Sequence, residues 1–400
     1  MRPAETAAGS APAAAGRRGL RLLGAALLAA AVVACGEAPP PGREGPSGEA
    51  GVNVAEALSG EQEAAGFARP QGPRPLLFPA DHGPHPDYRH EWWYVTGNLE
   101  SEAGRHFGFQ ATFFRFALTP EPLRLASRWA TRQLWMAHFT VTDTAAGRFH
   151  HFERFSRGAL GLAGARAEPF RVWLEDWALT AVGGDFDELR ARLAAEGVAV
   201  DLRLELAKPL VLQGERGYSR KGAEPGNASY YYSAPRLAAA GEVTTPAGRH
   251  RVSGTAWIDR EWGTSALSEG QSGWDWISLQ LDSGRELMLY RLRREDGSTD
   301  PRSAGVWIDR QGSSRPLDWG DLTLEVLERW ESPDGEATYP ARWRLEYPEE
   351  GVELVIEPTL ADQELRGGFR YWEGAVRASG RSAEGPVSGV GYVELTGYTE

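Results

Sequence analysis

No aromatic residue occurs before Phe67, although the 400-residue chain contains 15 Trp, 12 Tyr and 14 Phe. Because aromatic side chains supply much of the area buried in a core, the front of the chain is not expected to contribute to one. The single Cys excludes an internal disulfide framework and a multi-cysteine zinc site. Only two of the 43 basic residues are lysines and the net charge is −12, so the basic excess that nucleic-acid binding needs is missing.

The first residues have the pattern of an export signal. Arginines precede an apolar run from Leu22 to Ala34, in the order of the charged and hydrophobic regions of a signal peptide. The run is shorter than the roughly 20 residues that span a membrane as a helix. It ends in VVACG, which resembles the bacterial lipobox. We therefore expect residues 1–34 to be a lipoprotein signal peptide and Cys35 to be lipidated after cleavage; an ordinary secretory signal is the alternative.

Residues 35–75 are predicted to be the acylated cysteine followed by a flexible linker, because PPPG and GPSGEAG are rich in Pro and Gly. Gly36 follows the cysteine where Asp would favour the inner membrane, by resemblance to enterobacterial sorting. The expected location is therefore the cell envelope, on the periplasmic face of the outer membrane rather than the inner membrane. The sequence does not distinguish Sec from Tat export.

The rest of the chain has the pattern of strands. Short segments of alternating polarity are separated by Gly, Pro, Asp or Asn, which is the period of half-buried strands. Helical periodicity is scarce, and Asp185–Glu196 is equally compatible with a helix and a strand. Many evenly spaced strands predict an all-β protein of antiparallel barrels or sandwiches. The clearest predicted strands are Trp93–Leu99, Arg105–Ala117, Trp135–Asp143, Phe170–Ala181 and Val198–Glu205.

A weak internal echo predicts two copies of one architecture. RVSGTAWIDREWG ends at Gly263 and PVSGVGYVELTG ends at Gly397, and each contains Val-Ser-Gly, a small residue, an aromatic, an aliphatic and an acid. If each segment is the last strand of a barrel, an N-terminal domain spans residues 76–263 and a C-terminal domain spans residues 264–400. One large sheet with coincidental endings is the alternative.

Several motifs in order resemble a known family. The segment HEWWYVTGNL, from His90, looks like the opening strand of a lipocalin-type barrel. Taken with six further motifs, it is similar to the AttH-like and carotenoid 1,2-hydratase (hydroxyneurosporene synthase) family of tandem lipocalin-like proteins, over residues 75–400. The other motifs are GYSRKG, SYYYSAPRL, GTAWIDREWGTS, GWDWISLQL, YWEGAV and GYVELTGY.

The resemblance implies two tandem lipocalin-like antiparallel β-barrels with a cavity for an apolar, lipid or isoprenoid-like ligand. The expected function is a membrane-anchored lipoprotein that binds such a ligand and is linked to lipid export by an ABC-type exporter. The alternative is a hydratase-type enzyme that adds water to, or otherwise protonates, an isoprenoid alkene. No cofactor and no nucleic-acid partner is expected. A third class, a scaffold with barrels filled by their own side chains, predicts no cavity above about 300 Å³.

Hydration of an isolated alkene needs a protonated carboxylic acid, aromatic faces for a carbocation and a positioned water. Asp259, Glu261 and Asp275 are the candidate acids. Asp259 and Glu261 point to the same side of a strand, and two carboxylates on one side are expected to push one pKa up, which suits a proton donor. Bonding of this pair to Arg260 or to other arginines is the alternative. Hydratases of the family have a histidine where this chain has Arg260, and this departure argues against carotenoid hydration.

The candidate ligand-binding residues are aromatic or adjoin the aromatic motifs. His90 and Glu91 face opposite ways on a strand, so at most one of them enters a cavity, and a buried hydrogen bond is the alternative role. Lys221 and Tyr231 are candidates to meet a polar headgroup, against a structural basic loop and edge strand. No metal site is expected, because the histidines lack ligand spacing. The predicted ligand-binding set is His90, Trp92, Trp93, Tyr231, Trp262, Trp274 and Trp276.

Overall fold

The computed structural model describes residues 52–53, 65–122, 127–265 and 267–398. The predicted signal peptide, Cys35 and residues 36–51 and 54–64 of the predicted linker lie outside these residues. The described part consists of strands, with single 3₁₀ turns at Ala80–His82, Thr144–Ala146, Trp319–Asp321 and Pro348–Glu350. The all-β prediction is confirmed.

A first sheet of 13 strands is built from His90 to Gly263. Its order is β5-β4-β3-β2-β14-β13-β10-β9-β8-β7-β6, and β11 and β12 also pair with β13. The strands are β2 His90–Ser101, β3 His106–Ala117, β4 Gln133–Asp143, β5 Arg148–Arg157, β6 Ala163–Ala167, β7 Phe170–Leu174, β8 Trp177–Ala181, β9 Glu188–Ala195, β10 Val198–Leu206, β11 Val211–Leu212, β12 Tyr218–Arg220, β13 Ala228–Thr245 and β14 Gly248–Gly263.

A second sheet of 11 strands is built mainly from Gln271 to Leu395. Its order is β18-β17-β16-β15-β24-β23-β21-β20-β19, and both β22 and the short β1 pair with β23. The strands are β1 Val52–Asn53, β15 Gln271–Leu281, β16 Glu286–Arg294, β17 Ala304–Ile308, β18 Ser314–Asp318, β19 Thr323–Glu331, β20 Thr338–Tyr347, β21 Val352–Pro358, β22 Glu364–Arg366, β23 Phe369–Ser382 and β24 Gly385–Leu395.

Both sheets follow the same plan. In each, neighbouring strands of the sequence pair in turn, and the last long strand pairs with the first, β14 with β2 and β24 with β15. The open seam falls between β5 and β6 in one sheet and between β18 and β19 in the other. The echoing segments are these two closing strands, as the internal echo predicts. The two near-barrel sheets confirm the tandem lipocalin-like fold; the domain limits 76–263 and 264–400 stay a prediction.

Two local predictions can be compared with the observed strand limits. Phe170–Ala181 was expected to be one strand, but it is a hairpin of β7 and β8 in which Glu175 has a φ of 56°. A left-handed residue cannot continue an extended strand, so the single-strand prediction was wrong. The ambiguous segment Asp185–Glu196 contains strand β9, in which buried and exposed residues alternate.

Each curled sheet is filled by its own side chains. On β2, Trp93 and Val95 face the core of the first sheet, while Tyr94 faces a separate cluster that also contains Trp276 and Tyr392 of the second sheet. Alternation along the strand therefore directs one face inward and the other toward the second sheet. A cavity between the sheets is lined by residues of both.

The contact between the sheets is nearly symmetric. Asn98 Nδ2 on β2 donates to the carbonyl oxygen of Gly391 at 3.0 Å, and Gln280 Nε2 on β15 donates to the carbonyl oxygen of Ala256 at 2.8 Å. Each bond runs from a first strand to the closing strand of the other sheet. The two halves thus meet like the subunits of a two-fold dimer, with equivalent surfaces on both sides.

Candidate active site

An apolar cavity lies where the two sheets meet. It encloses about 80 Å³, or about 840 Å³ when the space out to its mouth is counted. Both sheets supply its walls from the strands next to each closure. The lining residues are His90, Trp92, Tyr94, Thr112, Phe114, Lys221, Ser229, Tyr231, Asp259, Glu261, Ser265, Trp274, Trp276, Tyr290, Leu292, Tyr371 and Glu394.

The acids of the sequence echo, Asp259 and Glu394, occupy equivalent places in this cavity. Asp259 on β14 stands opposite Tyr94 of β2 and Ser233 of β13. Glu394 on β24 stands opposite Trp276 of β15 and a second carboxyl residue of β23, Glu373. The near two-fold arrangement brings one acid from each half to the same cavity. The symmetry is broken at the residue beside each acid, which is Ser233 in the first sheet and Glu373 in the second.

Asp259 is buried and fully hydrogen-bonded without an arginine. Its Oδ1 accepts from Ser233 Oγ at 2.5 Å and from Trp257 Nε1 at 2.7 Å, and its Oδ2 accepts from Tyr231 Oη at 2.7 Å. Burial raises the pKa of Asp259 to about 7, against the lowering effect of these three bonds, and the charge of Glu261 adds to the rise. A carboxyl group with this pKa is available in both protonation states near neutral pH.

Glu394 has a similar character. It is buried, and its Oε1 accepts from Trp274 Nε1 at 2.8 Å. Burial raises the pKa of Glu394 to about 7, and the charges of Asp259 and Glu261 act in the same direction. Neither oxygen of Glu373 makes a hydrogen bond of ordinary geometry, although the hydroxyls of Tyr94 and Tyr371 are near enough to affect its titration. Burial, and then the charge of Glu394, raise the pKa of Glu373 well above its usual range.

Glu261 is held by a cation. Lys221 Nζ lies 3.1 Å from Glu261 Oε1, and Ser229 Oγ donates to the same oxygen at 2.5 Å. Burial lowers the pKa of Lys221, but the charge and hydrogen bond of Glu261, with smaller effects of Tyr290 and Asp259, together outweigh it and leave that pKa above its ordinary value. The ammonium group also lies 4.3 Å from the centre of the Tyr290 ring. This ion pair forms a polar wall of the cavity. Glu261 is thus held by a cation, whereas Asp259 is held by neutral donors.

His90 presents unsatisfied nitrogens to the cavity. It is buried, its ring lies 5.8 Å from that of Trp92, and neither Nδ1 nor Nε2 makes a hydrogen bond of ordinary geometry. Burial lowers the pKa of His90 to about 3, and the charges of Arg89 and Arg115 add to this effect. A buried imidazole without a partner costs free energy, so it marks a place where a polar group of a ligand is expected.

Three comparisons relate this geometry to known proteins. The family model described as AttH-like matches residues 69–398. The chain belongs to the AttH-like family. The crystal structure of a Nitrosomonas europaea protein described as AttH is 37% identical, with a TM-score of 0.72, over 83% of this chain and 100% of the other.

Kievitone hydratase of Fusarium solani subsp. phaseoli is 24% identical to this AttH-like chain over 220 residues, which are 53% of the chain and 60% of the relative. The match therefore spans less than two thirds of that enzyme. The crystal structure of kievitone hydratase from Nectria haematococca has a TM-score of 0.62 at 17% identity, over 84% of this chain and 98% of the other. At that identity the likeness shows a shared fold.

The structure of this AttH-like chain brings together five of the seven residues predicted to bind ligand: His90, Trp92, Tyr231, Trp274 and Trp276. The other two point elsewhere. Trp93 packs in the core of the first sheet, and Trp262 is stacked on His85 at 3.9 Å, outside the cavity.

Of the three predicted acids, Asp259 and Glu261 line the cavity and Asp275 does not. Asp275 faces the other side of β15, where it is ion-paired with Arg293 and accepts a hydrogen bond from Tyr398 Oη at 2.8 Å. Arg260 also leaves the cavity wall, because alternation on β14 directs it to an ion pair with Glu91. The alternative in which arginines hold Asp259 and Glu261 therefore does not apply to these two side chains. Arginines hold Asp275 and Glu91 instead.

Sequence reasoning missed several cavity residues of the AttH-like chain, above all Glu394, Tyr94 and Tyr371. One signal was available for Glu394, since the echo aligns it with Asp259. Within the described ranges there is no group of three or more His, Cys, Asp or Glu side chains suited to a metal ion. The same residues include no helix long and apolar enough to cross a membrane.

Proposed function

We propose that this protein is a hydratase-type enzyme that adds water to a carbon–carbon double bond of an apolar substrate in the cavity between the sheets. The observation that carries the proposal is Asp259, a buried acid with a pKa raised to about 7 in a wall of aromatic rings. The partial match to kievitone hydratase supports the same reaction type. It favours the enzyme over the carrier that was our first expectation.

Asp259 is the proton donor in this proposal. Its Oδ1 already accepts two hydrogen bonds, so the acidic proton resides on Oδ2, on the side of Tyr231. Transfer of this proton to one alkene carbon breaks the π bond and leaves a cation on the other carbon. The faces of Trp276 and Tyr94, whose rings meet edge to face at 5.1 Å, stabilise that positive charge.

Water then completes the addition. Its oxygen forms a bond to the cationic carbon while one of its protons leaves to a basic group of the cavity, so that no net proton is consumed once Asp259 is reprotonated. Burial, to which the charge of Glu261 adds, favours the protonated form of Asp259 before the transfer. His90 and the Lys221–Glu261 pair supply polar contacts for the water and for an oxygen of the substrate.

The size of the cavity limits the substrate class. An enclosed volume of about 80 Å³ is well below the roughly 300 Å³ of ordinary small-molecule pockets. It suits the alkene-bearing end of a substrate, with the remainder in the wider mouth, better than a complete long-chain lipid. Carotenoid specificity, the lipid anchor on Cys35, the outer-membrane location and the lipid exporter stay predictions.

The test is water addition by the purified protein, with kievitone and a carotenoid as separate probes. Mass spectrometry should detect a product heavier by one water, and in D₂O that product should carry one deuterium on carbon. Asp259→Asn should reduce the rate by at least about 100-fold, because general acid catalysis contributes about 10²–10⁴-fold.

The matched control is Asp176→Asn, since Asp176 is an exposed carboxylate on the β7–β8 turn. This variant should keep the wild-type rate. Wild-type activity in Asp259→Asn would refute the assignment of the acid. Absence of any water addition by the wild type to both probes would count against the proposed reaction.

A further inference from the structure

A hydrogen-bonded chain leads from the cavity to the edge of the first sheet. Tyr371 lines the cavity from β23, and its Oη lies 2.7 Å from Nδ1 of His138 on β4. Nε2 of His138 lies 3.0 Å from Oε2 of Glu153 on β5. His138 is 1% exposed and the side chain of Glu153 is 17% exposed, so the chain connects the buried cavity with solvent.

The direction of the chain follows from the third residue. Glu153 also accepts from the backbone N–H of Gly368 at 2.8 Å and of Phe369 at 3.3 Å. Burial raises the pKa of Glu153, but its hydrogen bonds to His138, Gly368 and Phe369 and the charge of His138 together outweigh burial and leave that pKa below its usual value, so Glu153 is an acceptor. His138 Nε2 therefore carries the hydrogen, and in the neutral ring Nδ1 accepts from the Tyr371 hydroxyl.

We infer that Tyr371, His138 and Glu153 form a proton relay that takes the proton from the attacking water. The inference rests on the proposed function. Tyr371 is the catalytic residue, because it lines the cavity and its hydroxyl is hydrogen-bonded to His138. His138 and Glu153 are positioning residues that act through it, in the manner of a nucleophile, histidine and carboxylate triad.

The other cavity groups suit this role less well. Glu373 does not line the cavity, Glu261 is ion-paired with Lys221, and Asp259 delivers the first proton. Tyr231, the counterpart of Tyr371 in the first sheet, donates to Asp259 and has no histidine behind it. The two equivalent tyrosines thus have different partners, which separates the acid side of the cavity from the base side.

The relay accounts for the proton that the attacking water must lose. As the water oxygen bonds to the cationic carbon, its O–H bond breaks and the proton goes to Tyr371 Oη. The Tyr371 proton goes at the same time to His138 Nδ1, and the resulting imidazolium is stabilised by the Glu153 carboxylate. The Nε2 proton then leaves through Glu153 to solvent, the ring returns from its Nδ1–H to its Nε2–H tautomer by proton exchange with solvent, and Asp259 regains a proton from solvent.

Kinetics of Tyr371→Phe and Glu153→Gln test the relay. With a probe that the wild type hydrates, Tyr371→Phe should lower kcat about 100-fold and change KM less than about twofold, because the Tyr371 hydroxyl acts on the bond-forming step. Glu153→Gln should lower kcat in the same sense. The matched control is Tyr392→Phe: this buried hydroxyl lies between the sheets, makes no hydrogen bond of ordinary geometry and does not line the cavity.

Chemical rescue separates proton transfer from a structural role. His138→Ala should be inactive, and added imidazole should restore turnover in proportion to the concentration of its free base. Wild-type kcat in Tyr371→Phe and Glu153→Gln, while the wild-type enzyme hydrates the probe, would overturn the relay and leave the proposed function intact.

Nitrogen-15 NMR tests the chain without turnover. At neutral pH, His138 should show a protonated Nε2 and an unprotonated, hydrogen-bonded Nδ1, and Tyr371→Phe should shift the Nδ1 resonance. This result supports the relay even where the wild type hydrates neither probe, in which case only the reaction proposal fails. A protonated Nδ1 would reverse the direction of the chain and overturn the relay.

Discussion

Asp259→Asn gives a direct test of the buried acid through stability alone. Asparagine has the shape of the protonated carboxyl group. Its Oδ1 keeps the bonds from Ser233 and Trp257, and its Nδ2 takes the place of Oδ2, so the Tyr231 hydroxyl, which donates to Oδ2 in the wild type, turns to accept from the amide. The substitution therefore removes the ionisation of the group while it preserves the packing.

The magnitude follows from the pKa of Asp259, which burial raises from 3.8 to about 7. At about 1.36 kcal/mol for each pKa unit, this difference corresponds to about 4 kcal/mol. Between these two pH values the unfolded chain ionises while the folded protein keeps its proton, so the free energy of unfolding falls as the pH rises. The contribution is complete below pH 3.8 and lost once the pH passes about 7.

Urea unfolding followed by tryptophan fluorescence measures the effect for the wild type and for Asp259→Asn. Their difference in unfolding free energy should change by about 3 kcal/mol in favour of the variant from about pH 5 to about pH 8. Comparison of the two proteins cancels the titration of Glu394 to first order. Asp201→Asn, at an exposed carboxylate with a lowered pKa, should show no change over this range. A difference for Asp259→Asn that is independent of pH would refute the argument.

Three further outcomes are expected. Lys208→Met should lower the free energy of unfolding by about 3 kcal/mol in urea, because Lys208 shares the buried Glu286 with Arg236 and its removal leaves one oxygen of that carboxylate and two backbone carbonyl oxygens without their ammonium donor. His90→Phe should keep the thermal midpoint within a few degrees, since no hydrogen bond of ordinary geometry is lost. It should raise KM for a probe that the wild type hydrates. Cys35→Ser should leave an uncleaved, unlipidated precursor, seen by the mass of the intact protein; normal processing would contradict the lipobox prediction.

Much of the fold was predictable from the pattern of residues that lie close together in the chain. Alternation along β2 and β14 predicts which side chains share a face, and Asp259 and Glu261 do share one. Prediction failed where a turn interrupts an apolar segment, as at Glu175, because a single left-handed residue has no effect on polarity pattern. It also failed for Trp93 and Trp262, since alternation shows that two faces exist but not which of them meets a partner.

The sequence by itself determined the strands, the sharing of faces by neighbouring acids and the repeat of one closing strand, because each depends on residues close together in the chain. Only the tertiary structure decided that Asp259 and Glu394 meet, and that Tyr371 reaches His138 across 233 residues. These contacts depend on how two curled sheets pack, which no local pattern encodes. The raised pKa of Asp259 has the same origin, since burial between the sheets, and not the identity of its neighbours in the chain, disfavours its charge.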